Sequence, residues 1–218
     1  MTLLTSDHRY IVIEGPIGVG KTSLARRLAD SFGSELILED AASNPFLDRF
    51  YNDPKSAALP AQLFFLFQRA QQMQLLMQDD MFTPVRVADF LMDKDRLFAE
   101  FTLTKDELNL YQQVADNLSV ESPKPDLVVY LQAPVDVLRE RIIRRNIKAE
   151  QLIDHDYLSR LVNVYSRFFH DYHDAPLLIV NAAEIDPVNN DDDYQLLLKR
   201  ILSMKNGRHY FNPLPIAM

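Results

Sequence analysis

The segment IEGPIGVGKTSLARRL, residues 13–28, holds residue types that suit one task, gripping a chain of phosphates. Three of the chain's five glycines fall between Gly15 and Gly20, and Lys21 and Thr22 follow at once. The string Gly15, Pro16, Ile17, Gly18, Val19, Gly20, Lys21, Thr22 matches G-x-x-x-x-G-K-[ST]. With glycine at about 7% of residues, chance supplies such a match in roughly one chain of this size in a hundred. Glycines let successive backbone N–H groups converge on phosphate oxygens, a following helix points its positive end at them, and Lys21 bridges the terminal phosphates. Thr22 is then placed to hold Mg²⁺. The competing reading, a glycine turn with an incidental lysine, is weakened by context: a strand precedes the loop and a helix follows.

Those elements extend through the chain. Tyr10 to Ile13 is a β-branched apolar run that suits a buried parallel strand, and Leu24, Leu28 and Phe32 lie on one helical stripe after the loop. Further strands are expected at Leu36 to Leu38, Val85 to Ala88, Asp126 to Leu131 and Leu177 to Asn181. A long helix, rich in Gln, Leu, Phe and Met, is expected over Ala57 to Met77. This alternation predicts an α/β fold with a five-stranded parallel sheet, helices on both faces and function at the carboxyl ends of the strands. Glu39 and Asp89 fall at two such ends.

Bulk properties narrow the classes. The 218 residues suit one well-buried domain, and 47% hydrophobic with 25% charged residues is ordinary globular composition. A net charge of −8 disfavours nucleic acid. The chain has no cysteine, which excludes disulfides, thiolate catalysis and thiolate-bound zinc. No apolar run reaches membrane-spanning length and the start lacks a signal-peptide pattern, so no membrane partner and a cytoplasmic location are the default expectations. A GTPase would need a D-x-x-G switch after a strand and an N-K-x-D base reader. The single D-x-x-G, Asp30 to Gly33, ends a helix, and N-K-x-D and L-S-G-G-Q are absent. A small-molecule kinase remains.

Beyond the loop, nearly the whole chain resembles the deoxyribonucleoside kinases, a P-loop family that transfers a phosphoryl group from ATP to the 5'-hydroxyl of a deoxynucleoside. The resemblance rests on several stretches. In LILED it implies Glu39 as the base for that hydroxyl, a role that can contribute roughly 10²- to 10⁴-fold; a helix-capping glutamate is the bland alternative. In FYNDPKSAALPAQLFFLFQRA it implies Tyr51 at the sugar 3'-hydroxyl and Gln62 with Arg69 at the nucleobase. Seven residues are nearly two helical turns, so Gln62 and Arg69 share a face.

The string VADFLMDKDRLFA departs from the family, whose members mostly follow the acidic residue with Arg and Ser. Here Asp89 is followed by Phe90 and Leu91, and Asp89 keeps the role of steadying Mg²⁺. Lys94 and Arg96 are both candidates to partner Glu39 in place of the missing arginine. Asp95 is similar to the family's base-reading aspartate, with Asp93 or Lys94 as alternatives, and Phe98 to its base-stacking phenylalanine; an ordinary core Phe is as plausible on the residue alone.

In VLRERIIRRNIKAEQ, residues 139–148 carry a local charge of +4 inside an acidic protein. The resemblance implies an arginine-rich lid over about residues 139–150, with Arg141 and Arg145 closing on the phosphates. The family's third lid arginine falls at Ile147, so either Lys148 substitutes or nothing does, and Glu150 is implied at the 3'-hydroxyl. NAAEIDPVNNDDDY resembles the loop around the adenine of ATP, with Asp186 nearest it. The acidic run Asp191 to Asp193 fits helix capping better than calcium. His170 and His173 in HDYHD have metal-compatible spacing but more commonly mark a polar helix end.

The expectation is therefore a single-domain, Mg²⁺-dependent, ATP-using deoxynucleoside kinase of nucleotide salvage, leaning to purine deoxynucleosides, with a homodimer of long helices implied by the family. A nucleoside monophosphate kinase and a non-catalytic ATP-binding switch are the rivals.

Overall fold

A computed structural model describes residues 7–78, 85–118 and 122–212. The sheet is built from β1 (Tyr10–Glu14), β2 (Glu35–Ile37), β3 (Arg86–Ala88), β4 (Leu127–Gln132), β5 (Leu177–Asn181) and β6 (Arg208–Phe211). All neighbours pair in parallel, in the order β2-β3-β1-β4-β5-β6. Among the described residues, six strands replace the expected five. The sixth, RHYF, follows Gly207 (φ 74), is only four residues long and has no fully buried position, so it lacks the apolar run that marks the others.

The central strands obey the period of two. Ile11 and Ile13 of β1 and Leu127, Val129 and Leu131 of β4 face a core built with Leu24, Leu28 and Phe32 of α1 (Lys21–Phe32). Leu138 of α6 (Val135–Arg145) and Leu197, Leu198 and Ile201 of α8 (Asp191–Ser203) complete that layer. On the other face, Val12, Val128 and Tyr130 pack on Met73 and Leu76 of α3 (Pro54–Gln78) and on Leu161, Tyr165 and Phe169 of α7 (His155–Asp171). The remaining helices are α2 (Leu47–Asn52), α4 (Lys94–Thr102) and α5 (Lys105–Leu118).

Chain order reverses around β1, with β3 on one side and β4 on the other, so a crevice opens at its carboxyl end. The glycine loop occupies that crevice. Gly15 (φ 149) is obligatory there: a Cβ would lie 2.3 Å from the Leu131 carbonyl oxygen. At Gly18 (φ 84) a Cβ would lie 2.8 Å from the Leu138 carbonyl oxygen, also too close. Two of the glycines are thus required by strand β4 and helix α6 as well as by any phosphate.

Candidate active site

A cavity of about 490 Å³ opens over the carboxyl ends of β1, β2 and β3. One end is lined by Ile17, Gly18, Val19, Gly20, Lys21 and Thr22, and the other by Glu39, Tyr51, Gln62, Arg69, Phe98 and Glu150. Gly15 and Pro16 lie behind it; their carbonyl oxygens accept hydrogen bonds from Lys21 Nζ at 2.7 and 3.2 Å. Burial, reinforced by the nearby Lys94 ammonium, lowers the Lys21 pKa to about 8. A lysine bent onto its own loop and partly stripped of its charge preference gains when a polyanion arrives.

At the start of α1, Thr22 Oγ1 donates to Asp89 Oδ2 at 2.5 Å, while Asp89 Oδ1 accepts from the backbone N–H of Glu39 at 2.8 Å. Asp89 is 3% exposed. A hydroxyl and a buried carboxylate side by side at a helix N-terminus form a hard-oxygen pair that fits Mg²⁺ carrying waters and phosphate oxygens. Among the described residues there is no group of three or more His, Cys, Asp or Glu fit to hold a metal, so His170 and His173 are not part of such a site.

Glu39 is the centre of the cavity's other end. Lys94 Nζ donates to its Oε2 at 2.8 Å, and the Arg69 guanidinium pairs with its Oε1. Burial alone raises this carboxyl, but Arg69 and then Lys94 outweigh it and hold the group well below the usual carboxylate range. The choice between Lys94 and Arg96 is thereby settled: Arg96 points outward and pairs with Glu100 at 2.8 Å, one turn along α4.

Arg69, 2% exposed, divides its guanidinium between Glu39 and Asp95. Asp95 is buried and does not line the cavity; it reaches it through Arg69. Burial first, opposed by Arg69, raises the Asp95 pKa to about 6. Phe98 stands edge-on to Tyr165, ring centres 6.1 Å apart, with Lys94 Nζ 5.5 Å from its ring centre. Burial pushes Tyr51 well above the usual phenol range, with Tyr157 and the Glu150 carboxylate adding to the shift, and Tyr51 and Glu150 both line the cavity.

On α6, Arg141 donates to the carbonyls of Val19 (3.1 Å) and Ala182 (2.7 Å), and Arg145 Nε to Glu150 Oε2 at 3.0 Å. Arg144 also lines the cavity, whereas Lys148 does not. Ala182, Ile185, Asp186, Pro187, Val188 and Asn189 also line the cavity. The Asp186 carboxylate accepts from the backbone N–H groups of Val188 (3.2 Å) and Asn189 (3.1 Å), so the side chain shapes the loop. Asn190 caps α8 through the N–H groups of Asp192 and Asp193, and the three aspartates occupy its first turn, in keeping with the capping expectation.

Sequence reasoning passed over two groups. Glu14, 1% exposed, accepts from the N–H groups of Gly15 and Leu91, each at 2.8 Å, and from the Tyr165 hydroxyl at 3.0 Å. It ties the phosphate loop to the segment that leads into Lys94. Tyr157, Leu161 and Tyr165 supply an α7 wall of the cavity, legible in principle as an i, i+4, i+8 stripe.

Fold and site together define a P-loop phosphotransferase. The family model for deoxynucleoside kinases matches residues 11–204, and the chain belongs to that family. It is 33% identical over 200 residues to a deoxyguanosine kinase of Bacillus subtilis, covering 88% of this chain and 95% of that one. A deoxyadenosine kinase of Lactobacillus acidophilus is 29% identical over 207 residues, covering 88% and 94%. Among solved structures, a deoxyadenosine kinase from M. mycoides with bound dATP shares the fold at a TM-score of 0.77 and 24% identity, covering 90% of this chain and all of the other.

Proposed function

We propose that the protein transfers the γ-phosphoryl group of ATP to the 5'-hydroxyl of a purine deoxynucleoside, in nucleotide salvage. Family membership makes it a deoxynucleoside kinase; the purine preference is supported by relatives named deoxyguanosine and deoxyadenosine kinases. The observation that carries the donor and acceptor assignment is a shared cavity: the Glu39 carboxylate and the phosphate loop face the same space.

In this reading the triphosphate lies along the N-terminus of α1, and Lys21 leaves its two carbonyls for the β- and γ-phosphates. Mg²⁺, bound through Thr22 and Asp89, would neutralise charge between those phosphates. Arg141, Arg144 and Arg145 stand on the opposite wall as the cationic lid. Each Glu39 oxygen has one cationic partner and a second lone pair left for a hydroxyl proton. Because its partners keep it strongly ionised, Glu39 first orients the 5'-hydroxyl. It accepts the proton late, as the bond to phosphorus forms, which suits the loose transition state of phosphoryl transfer. Tyr51 and Glu150 hold the 3'-hydroxyl. Gln62 and the Arg69–Asp95 pair meet the base, with Phe98 against its face.

A monophosphate acceptor would place a dianion beside Glu39 and Glu150, which argues against a nucleoside monophosphate kinase. We further propose a cytoplasmic homodimer. α3 spreads its apolar residues around the helix and leaves Phe67 51% and Leu75 59% exposed, and Leu110 of the adjoining α5 is also exposed, as a second copy of the same surface would explain. No helix among the described residues is long and apolar enough to cross a membrane. The direct test is turnover with ATP, Mg²⁺ and a panel of nucleosides and monophosphates. 5'-Monophosphate product from deoxyguanosine or deoxyadenosine is expected; product solely from monophosphates, or binding without product, would overturn the proposal.

A further inference from the structure

Arg27 lies on α1 two turns beyond the phosphate loop, outside the cavity, and belongs to no recognised motif of the chain. Its Nη1 donates to the carbonyl oxygens of Pro187 (3.1 Å) and Val188 (2.9 Å). Its guanidinium carbon sits 4.1 Å from the centre of the Tyr194 ring, and its Nη2 pairs with Asp191. The clamp is reciprocal: the Tyr194 hydroxyl, on a side chain 2% exposed, donates to the Arg27 carbonyl at 3.0 Å and lies 2.5 Å from Ser31 Oγ. Pro187 and Val188 are cavity-lining residues, so the carbonyls that Arg27 holds belong to the inner wall itself. At the other end of the segment, Arg141 holds the Ala182 carbonyl.

We infer that Arg27 is a positioning residue for the donor nucleotide, fixing the loop around its base relative to the helix that grips its phosphates. The inference rests on the proposed reading of residues 182–189 as the wall of the donor base. Its physical basis is a division of labour. The N-terminus of α1 binds phosphates whether or not a base is attached, whereas a loop is a precise wall only when its backbone is tied down. Asp191, 89% exposed, contributes little to this; the two buried-side carbonyls and the Tyr194 ring make the tie.

The test compares ADP and inorganic tripolyphosphate as inhibitors competing with ATP, for the wild type, Arg27→Met and Arg27→Lys. Wild type is expected to bind ADP more tightly than its phosphate count alone provides. Arg27→Met should weaken ADP about tenfold, the scale of losing charge-assisted hydrogen bonds, with tripolyphosphate and the nucleoside KM unmoved. Arg27→Lys, which keeps a cation over Tyr194, should fall between. Equal weakening of both inhibitors would show a general effect on α1 and overturn the inference, as would an unchanged ADP constant. A wild type that binds ADP no better than pyrophosphate, the control of equal phosphate count, would instead remove the donor-base reading of the loop.

Discussion

Glu39 and Lys94, 55 positions apart in sequence, meet at 2.8 Å with both side chains largely withdrawn from water. Glu39 follows the β2 end and Lys94 opens α4. The contact fills a place where the family usually has an arginine directly after the strand-end acid. Here Phe90 and Leu91 occupy that stretch and are buried in the core, and the cation arrives from the first turn of the next helix instead.

That arrangement predicts an unusual pH profile. With Arg69 and Lys94 in place, kcat at saturating nucleoside should stay flat well into the acid range, because Glu39 remains ionised, whereas protonation of Asp95 near pH 6 acts on nucleoside binding. In Lys94→Met the burial that raises the carboxyl loses one of its two opponents. An acidic limb should then move to higher pH than in the wild type, activity falling as pH falls. Lys94→Arg should keep the flat profile. Identical profiles for wild type and Lys94→Met would break the link.

Lys21 sets the alkaline side. Its pKa is lowered to about 8 by burial and by Lys94. Since the charged form binds phosphate, kcat/KM for ATP should fall as pH rises through about 8. At saturating ATP, kcat should persist to higher pH because bound phosphates restore the lysine's proton affinity. The pH dependence of both parameters checks this.

The exposed apolar side chains of α3 predict assembly. Replacing Phe67 and Leu75 together with Glu should convert a dimer to a monomer in sedimentation velocity, since charges cannot be buried unpaired in such an interface. A wild type that sediments as a monomer would remove the dimer proposal.

How much of this could be read from the sequence varies with the physics involved. Strands β1, β4 and β5 were legible because parallel strands buried on both faces carry uninterrupted apolar runs. β6 was not, since RHYF carries no such run. The phosphate loop was legible because positive φ at Gly15, Gly18 and Gly20 marks it with glycines at fixed spacing, whatever packs behind them. The acceptor residues Gln62 and Arg69 shared a predictable helical face, and both line the cavity. The partner of Glu39 was not predictable, because Lys94 and Arg96 differ only in which side of α4 faces inward, a matter of how α4 docks on α3 and α7. Glu14 was hidden for a similar reason: its partners come from the loop after β3 and from α7, far away in sequence.

The central claim is that Glu39 acts on the acceptor hydroxyl and not merely as an ion-pair anchor. It is tested most directly by single-turnover phosphorylation of deoxyguanosine and deoxyadenosine by Glu39→Gln, with nucleoside affinity measured in parallel by calorimetry. The account predicts phosphoryl transfer slowed by at least about a hundredfold, with nucleoside affinity changed no more than a few fold. Transfer at the wild-type rate in a variant that still binds nucleoside would contradict it.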